Sequence, residues 1–528
     1  MDLYLGPVHV AASRLRTSIS TARLAVGIVA LLAAGFSVGA SVVAVEAKAP
    51  AANNPTVRVE GPLASISSTP LVLTPAFDPW ISDFVLRCQA GINIVQFTLS
   101  ASSDRRLNVA GNNAHTITLQ VSLLENQALI LDSHGSNVPG GAHYWIRCLP
   151  HDFPQLTVNR PGNPPAGWYL TGNLNTAFGA GTYAMVLDKY GIPVWYRKTA
   201  KPGALDVTPL SGDRIAWMAF SAAFGSDPIG AFEVFDLDTH ATQWLAAPIP
   251  PTDPHELVEL ANGNLLLLSS PLRRNIDMSV FGNGIQTIVD CVIQEVNPAG
   301  ALIWQWRASD HISVSEATRT PVAVVRGELV YDLLHCNSID SDPISGNLLL
   351  SARHTDAVYL IDRTTGEVEW KIGGRGVNPD GAVSLQVVGD PEGTFHAQHD
   401  ARFQPGRGIS LYDDQSWDSG LAARGVEYRI DPIARTATLV WAYESPDGRN
   451  SAATGSFRRL DGGADNIIGW GLKPNALFTE VDAFGNVMLD VRFSGSQAAY
   501  RVVKVPTASF NHDLLRNSAG LLPTIPLV

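Results

Sequence analysis

VYLIDRTTGEVEW, residues 358–370, reads as two short apolar strands joined by a polar bend that holds Asp362 and Gly366. The same shape returns as YAMVLDKYGIPVWY at 183–196, FEVFDLDTHATQW at 232–244 and VIQEVNPAGALIWQW at 292–306. Two further copies are VEYRIDPIARTATLVW at 426–441 and LFTEVDAFGNVMLD at 477–490. Successive starts lie 49 to 68 residues apart. A lone hairpin is only marginally stable in water, so these six must pack on something. Between them runs a second set: VTPLSGDRIAWM (207–218), HELVELANGNLLLLS (255–269), HCNSIDSDPISGNLLLSAR (335–353), HDARFQPGRGISLY (399–412) and SFRRLDGGADNIIGW (456–470). One hairpin from each set makes a four-stranded sheet, and a repeat of about 50–65 residues is a propeller signature. Six such sheets set radially bury both faces of each and leave only short edges. The expectation is an all-β chain whose residues 161–510 form a six-bladed β-propeller. Blade one lacks a clear first hairpin around Trp168 to Leu174, and Tyr500 to Val505 is expected to close the ring beside the last hairpin.

Composition agrees with many short strands. Among 528 residues, 46 Gly and 34 Pro punctuate the chain, and no helical periodicity of useful length appears. Hydrophobic residues at 45% against 16% charged exclude disorder throughout. A formal charge of −12 excludes a phosphate-backbone binder, so no nucleic-acid partner is expected. At the N-terminus, Arg14, Arg16 and Arg23 precede an apolar run from Leu24 to Val45. Residues 1–50 therefore read as a signal peptide or an N-terminal membrane anchor, which places the remainder outside the cytoplasm, secreted or held at the membrane. Residues 51–55 read as a linker, 56–160 as a small antiparallel β-sandwich and 511–528 as a C-terminal tail. In an oxidising space Cys88 and Cys148 are expected to form a disulfide, while Cys336 reads as a strand residue facing away from its neighbour.

The chemistry is expected at His255, His335 and His399, which open the second-set hairpin in three consecutive blades. Repeat equivalence aims three imidazoles at one axial point, where folding alone would place Val, Ile or Leu. Arg353 ends the second strand of the His335 hairpin, and Asn337 lies two residues beyond His335 on the same side of an extended strand. Three histidines could hold zinc. Arg353 would repel a divalent cation, however, and its planar fork suits an anion, so no metal is expected. A neutral imidazole can attack a sulfur or phosphorus centre and carry the group covalently to a second substrate. No P-loop or Rossmann fingerprint is present, and neither GxSxG nor HExxH occurs. No cofactor is expected. Trp217, Trp306, Trp417, Trp470 and Tyr412 serve either as a stacking wall for an aromatic ring or as blade packing. Two other classes stay open: a non-catalytic extracytoplasmic propeller that binds an anionic ligand or a protein partner, and a metal- or quinone-dependent propeller oxidoreductase.

Several of these segments resemble the bacterial arylsulfotransferase family: His335-Cys336-Asn337-Ser338-Ile339-Asp340, Ser351-Ala352-Arg353, Gln398-His399-Asp400-Ala401-Arg402 and Gly469-Trp470-Gly471. The resemblance covers roughly residues 160–506. It implies nucleotide-independent transfer of a sulfuryl group from a phenolic sulfate ester to a phenol, both small molecules. It also implies His399 as the nucleophile that is transiently sulfated, with His255, His335 and Arg353 holding sulfuryl oxygens and Asn337 in support. His396 is a neighbouring candidate for the nucleophile, and Asp400 is a candidate to orient His399. The chain departs from the family pattern at Asp413-Asp414, where Asp-Asn is frequent, and in the turns at 404–408 and 461–466; these departures are expected to touch turns rather than the site.

Overall fold

The computed structural model describes residues 42–45, 54–135, 142–175, 181–199, 201–220, 230–325, 327–416, 420–473, 475–495 and 497–521. Most of the expected leader and linker lies outside the described residues. Of the apolar run, Val42–Val45 form a strand that pairs in parallel with Thr116–Leu124. No helix among the described residues is long and apolar enough to cross a membrane.

After residue 54 the chain builds two sheets. Thr116–Leu124, Ile92–Ser100 and Ser65–Thr69 belong to the first. Asp83–Arg87, Ala142–Leu149, Ala128–His134, Thr56–Glu60, Leu107–Val109 and Asn112–Ala114 form the second, which is mixed rather than antiparallel as expected. Asp83–Arg87 runs parallel to Ala142–Leu149 and Thr56–Glu60 parallel to Ala128–His134, because their connections cross over instead of turning back as hairpins. Period-two alternation decides which side of the first sheet faces inward. Val95, Phe97 and Leu99 are buried, opposite Ile117, Leu119 and Val121 across the antiparallel register. Both sheets feed one core that also holds Cys88 and Cys148, and these two are joined as a disulfide, as expected.

The rest is a ring of six blades of four strands each, with Leu156–Asn159 added at the outer edge of the sixth. Tyr183–Leu187 and Pro193–Lys198 are the outer strands of blade 1. Blade 2 runs Gly203–Leu210, Arg214–Phe220, Phe232–Asp236, Thr242–Leu245, and blade 3 runs Thr252–Glu259, Leu265–Ser269, Val292–Val296, Leu302–Arg307. Blade 4 is Cys336–Ser341, Leu348–Ala352, Ala357–Ile361, Val368–Gly373, and blade 5 is His399–Gln404, Gly408–Asp413, Arg424–Asp431, Thr436–Glu444. Ser456–Leu460, Asp465–Gly469, Phe478–Asp482 and Val487–Phe493 make blade 6. The first strand of each blade touches the first strand of the next in cyclic order, so these strands line the axis. Both expected hairpin sets are present at the expected places.

Ring closure differs from the expectation. Gln497–Val505 pairs antiparallel with Trp168–Asn175, so the C-terminal strand is the innermost strand of blade 1 rather than an addition to blade 6. That explains why blade 1 shows no first hairpin in sequence: its two inner strands come from opposite ends of the propeller. A small extra sheet (Leu272–Asp277, Ile285–Val289, Glu328–Tyr331, Val322–Val325) is inserted around the outer half of blade 3. The expected tail contains a short helix, His512–Ser518, whose Arg516 binds Asp83 of the sandwich at 2.7 Å.

In blades 1 to 5 the pairing next to the axis is interrupted by a register shift: at Thr171/Asn173, Leu205/Thr208, Thr252/Leu257, Cys336/Ser338 and His399/Arg402. A bulge re-aims the side chains beside it.

Candidate active site

Each of the three histidines is anchored in the same way. Nδ1 of His255 meets Asp253 at 2.5 Å, Nδ1 of His335 meets Asp332 at 2.5 Å, and Nδ1 of His399 meets Asp414 at 2.5 Å. A carboxylate on Nδ1 takes its N–H and leaves Nε2 as the working nitrogen. The His255 and His335 rings lie edge to face with centroids 5.1 Å apart. Behind them a pinched cavity, lined by Asp253, Asp290, Asp332, His335 and the Cys291–Cys336 bridge, backs two of the three dyads.

Electrostatics ties the third ring to the other two. Burial pushes His399 well below the ordinary histidine value of 6.5, and the charges of Arg353, His255 and His335 push it further the same way. His399 is therefore neutral at neutral pH, the state a nucleophile needs. Burial raises its partner Asp414 well above the usual carboxylate range, against the pull of Arg353. Asp332 behaves oppositely: burial opposes its charge, yet His335 and His354 hold it down at about 2. It is a permanent anion beside His335.

Arg353 is buried and opens a single helical turn, Arg353–Thr355, directly after the second strand of blade 4. Its backbone N–H donates to the carbonyl of His335 at 3.0 Å, and its guanidinium reaches His354, whose ring packs on that of His335. Asn337 is fully buried, and its amide donates to the carbonyl of Gln398 at 2.7 Å. It thereby ties blade 4 to the residue just before His399. His396 is half-exposed and faces Asp356, with Nδ1 3.7 Å from the carboxylate.

Asp400 does not orient His399. Its backbone is left-handed at φ +58, within the bulge that separates His399 from Arg402, and this sends the carboxylate into the axis. There it meets Arg458 at 2.7 Å, Arg402 at 2.7 Å and Arg501 at 3.2 Å. Arg501 also reaches Asp206 and Glu256, both at 2.7 Å, and the carbonyl of Asn337 at 3.1 Å. The innermost strands of all six blades contribute to this buried network. Burial opposes the Asp400 charge, but Arg458, Arg402 and Arg501 hold it at about 2. Asp400→Asn leaves three guanidiniums facing an amide and should cost about 3–5 kcal/mol of stability, read as a lowered urea midpoint with unchanged slope. An unaltered midpoint would show that the network tolerates the lost charge.

Sequence reasoning missed Asp414, which sits at the third dyad rather than in a mere turn. It also missed the second disulfide, Cys291–Cys336, so Cys336 does not simply face away; it pins the start of the innermost strand of blade 4 to blade 3. No cysteine among the described residues is free. The aromatic candidates pack the blades: Trp217 lies edge to face on Trp195, and Trp306 and Trp470 donate to Gly366 and Thr479. Trp417 lies outside the described residues. Asp332, His335 and His354 could offer three ligand atoms within 4.8 Å of one another. They do not fit a divalent cation well, because His354 Nε2 accepts from the Arg353 guanidinium at 3.0 Å, and a second cation there would be repelled.

The family model described as arylsulfotransferase (ASST) matches residues 158–488, the stretch that carries all three dyads and Arg353. The chain belongs to the arylsulfotransferase family. Membership makes it a sulfotransferase that acts on small molecules. The two disulfides of this arylsulfotransferase belong in an oxidising, extracytoplasmic setting. No curated protein matches the chain. Among solved structures, it is similar to a Bacteroides caccae protein of unknown function at 12% identity and TM-score 0.39, over 65% of this chain and 99% of that one. A Lactobacillus plantarum protein is similar at 11% identity and TM-score 0.37, over 65% and 100%.

Proposed function

We propose that this arylsulfotransferase moves a sulfuryl group from a phenolic sulfate ester to a second phenol through a sulfated His399, outside the cytoplasm and without a nucleotide donor. The observation that carries the reading is the set of three imidazoles, each held through Nδ1 by a carboxylate, with a buried guanidinium beside them.

His399 Nε2 attacks sulfur with its lone pair. The N–S bond forms as the S–O(aryl) bond breaks, and the electron pair leaves on the phenolic oxygen. Arg353 holds the sulfuryl oxygens, with the His255 and His335 imidazoles, backed by Asp253 and Asp332, beside it. One of these imidazoles passes a proton to the departing oxygen and takes one back from the second phenol. That phenol's oxygen then attacks sulfur, and the N–S electron pair returns to His399. Asn337 supports the site by fixing the strand that carries His399. The basic and apolar leader in residues 1–50 delivers the chain across the membrane or anchors it there.

A direct test mixes para-nitrophenyl sulfate with a different phenol, without nucleotide. Sulfation of the second phenol is expected, and wild-type protein that transfers nothing would remove the enzyme reading in favour of a ligand-binding propeller. The pH dependence is also fixed in sign. Because His399 is depressed below 6.5, it keeps its lone pair as acid is added, so kcat/KM for the donor should hold from about pH 7.5 to 6.5 and fall only below that. An acid limb centred above pH 6.5 would contradict a neutral buried nucleophile.

A further inference from the structure

We propose that His354 is a positioning residue for Arg353, a neutral acceptor that aims the guanidinium at the sulfuryl oxygens without cancelling its charge. This rests on the sulfuryl-transfer reading above and adds a residue to that site.

His354 is buried at 3% exposure, in the turn that follows the second strand of blade 4. Both ring nitrogens have defined partners. Nδ1 donates to the backbone carbonyl of Asp332 at 2.6 Å, and that bond sets the tautomer. Nε2 is then a lone pair, and it accepts from Nη1 of Arg353 at 3.0 Å. The other end of the guanidinium donates through Nη2 to the carbonyl of Ala452 at 3.1 Å. Two acceptors on different elements fix the plane of the fork. The His354 ring also packs on His335 with centroids 4.6 Å apart, so one residue contacts both the cation and a flanking imidazole.

The choice of residue type follows from charge. A carboxylate in place of the imidazole would pair with Arg353 and spend its field on a fixed partner rather than on substrate. An apolar side chain would fill the space but leave a rotamer-rich side chain to find its own direction. Burial, against the pull of Asp332 and with help from His335 and Arg353, lowers His354 to about 3, so it is uncharged at neutral pH.

The test is a double-substitution cycle read by donor kinetics. His354→Leu should lower kcat by about 10- to 100-fold, the scale expected when a charged group is mispositioned, while the melting temperature stays near that of the wild type. In an Arg353→Ala background the same substitution should cost less than about twofold, because the group it positions is gone. His354→Gln, which can present an acceptor oxygen near the Nε2 position, should recover most of the loss. Equal penalties in both backgrounds would overturn the assignment and make His354 a packing residue. If His354→Leu does not fold, His354→Gln is carried through the same cycle, and additive penalties there overturn it equally. Wild type that transfers no sulfate fails at an earlier point: it removes the enzyme reading, and this assignment goes with it.

Discussion

His399→Ala lowers kcat by about 10⁴-fold or more, because removing a covalent nucleophile leaves only binding and charge stabilisation by the remaining groups. The substitution is mild for the fold. Nδ1 of His399 bonds Asp414 and the carbonyl of Ala397, but the strand itself is held by other contacts: Asn337 on the Gln398 carbonyl, Gln398 on Ser351 and Ala357, and Ser338 accepting from the Ala401 N–H. Circular dichroism and melting temperature should therefore stay close to wild type while turnover disappears. Steady-state transfer between two phenols reads the effect. Turnover within tenfold of wild type would take the nucleophile role from His399 and leave His255 and His335 as the imidazoles to examine.

Asp414→Ala is expected to cost about 10²- to 10³-fold in kcat, somewhat less than the loss of a triad carboxylate in other nucleophile–histidine systems. The carboxylate does two things here. At 2.5 Å from Nδ1 it sets the tautomer that exposes Nε2. It also stabilises the cationic ring that forms when sulfur binds. KM for the donor should change little, since Asp414 is fully buried and meets the ring at Nδ1 rather than at Nε2. Combined with His399→Ala, the substitution should add almost nothing, because two residues that act as one unit are not additive. A penalty that persists in the His399→Ala background would make Asp414 structural. Asp414→Asn should retain more activity than Asp414→Ala because the amide oxygen can still accept from Nδ1–H.

The fold was legible because its unit is local. A hairpin is written in some fifteen consecutive residues, and VYLIDRTTGEVEW or FEVFDLDTHATQW carries alternation and turn chemistry without reference to the rest of the chain. The histidines were legible for the same reason, since repeat equivalence converts a position along the chain into a position around the axis. What sequence did not show depends on contacts between elements far apart. Gln497–Val505 pairs with Trp168–Asn175 more than 300 residues away, and no local pattern announces that partner. Cys291 and Cys336 meet across a blade boundary. The bulge after His399 is the most instructive case. In a regular strand Asp400, next to His399, looks like its natural orienter, but a left-handed Asp400 points to the axial arginines, and the contact to Nδ1 falls to Asp414, just past the neighbouring strand. Asp253, two residues before His255, and Asp332, three before His335, were visible in the sequence; nothing marked them as partners until the three dyads stood side by side.

The covalent step is tested most directly by mass spectrometry of the intact chain, followed by peptide mapping, after brief mixing with para-nitrophenyl sulfate and no acceptor. The account predicts one added sulfuryl group on the peptide that contains His399, lost when phenol is added and never formed by His399→Ala. Transfer that proceeds with no adduct on the chain, or an adduct on a residue other than His399, would contradict it.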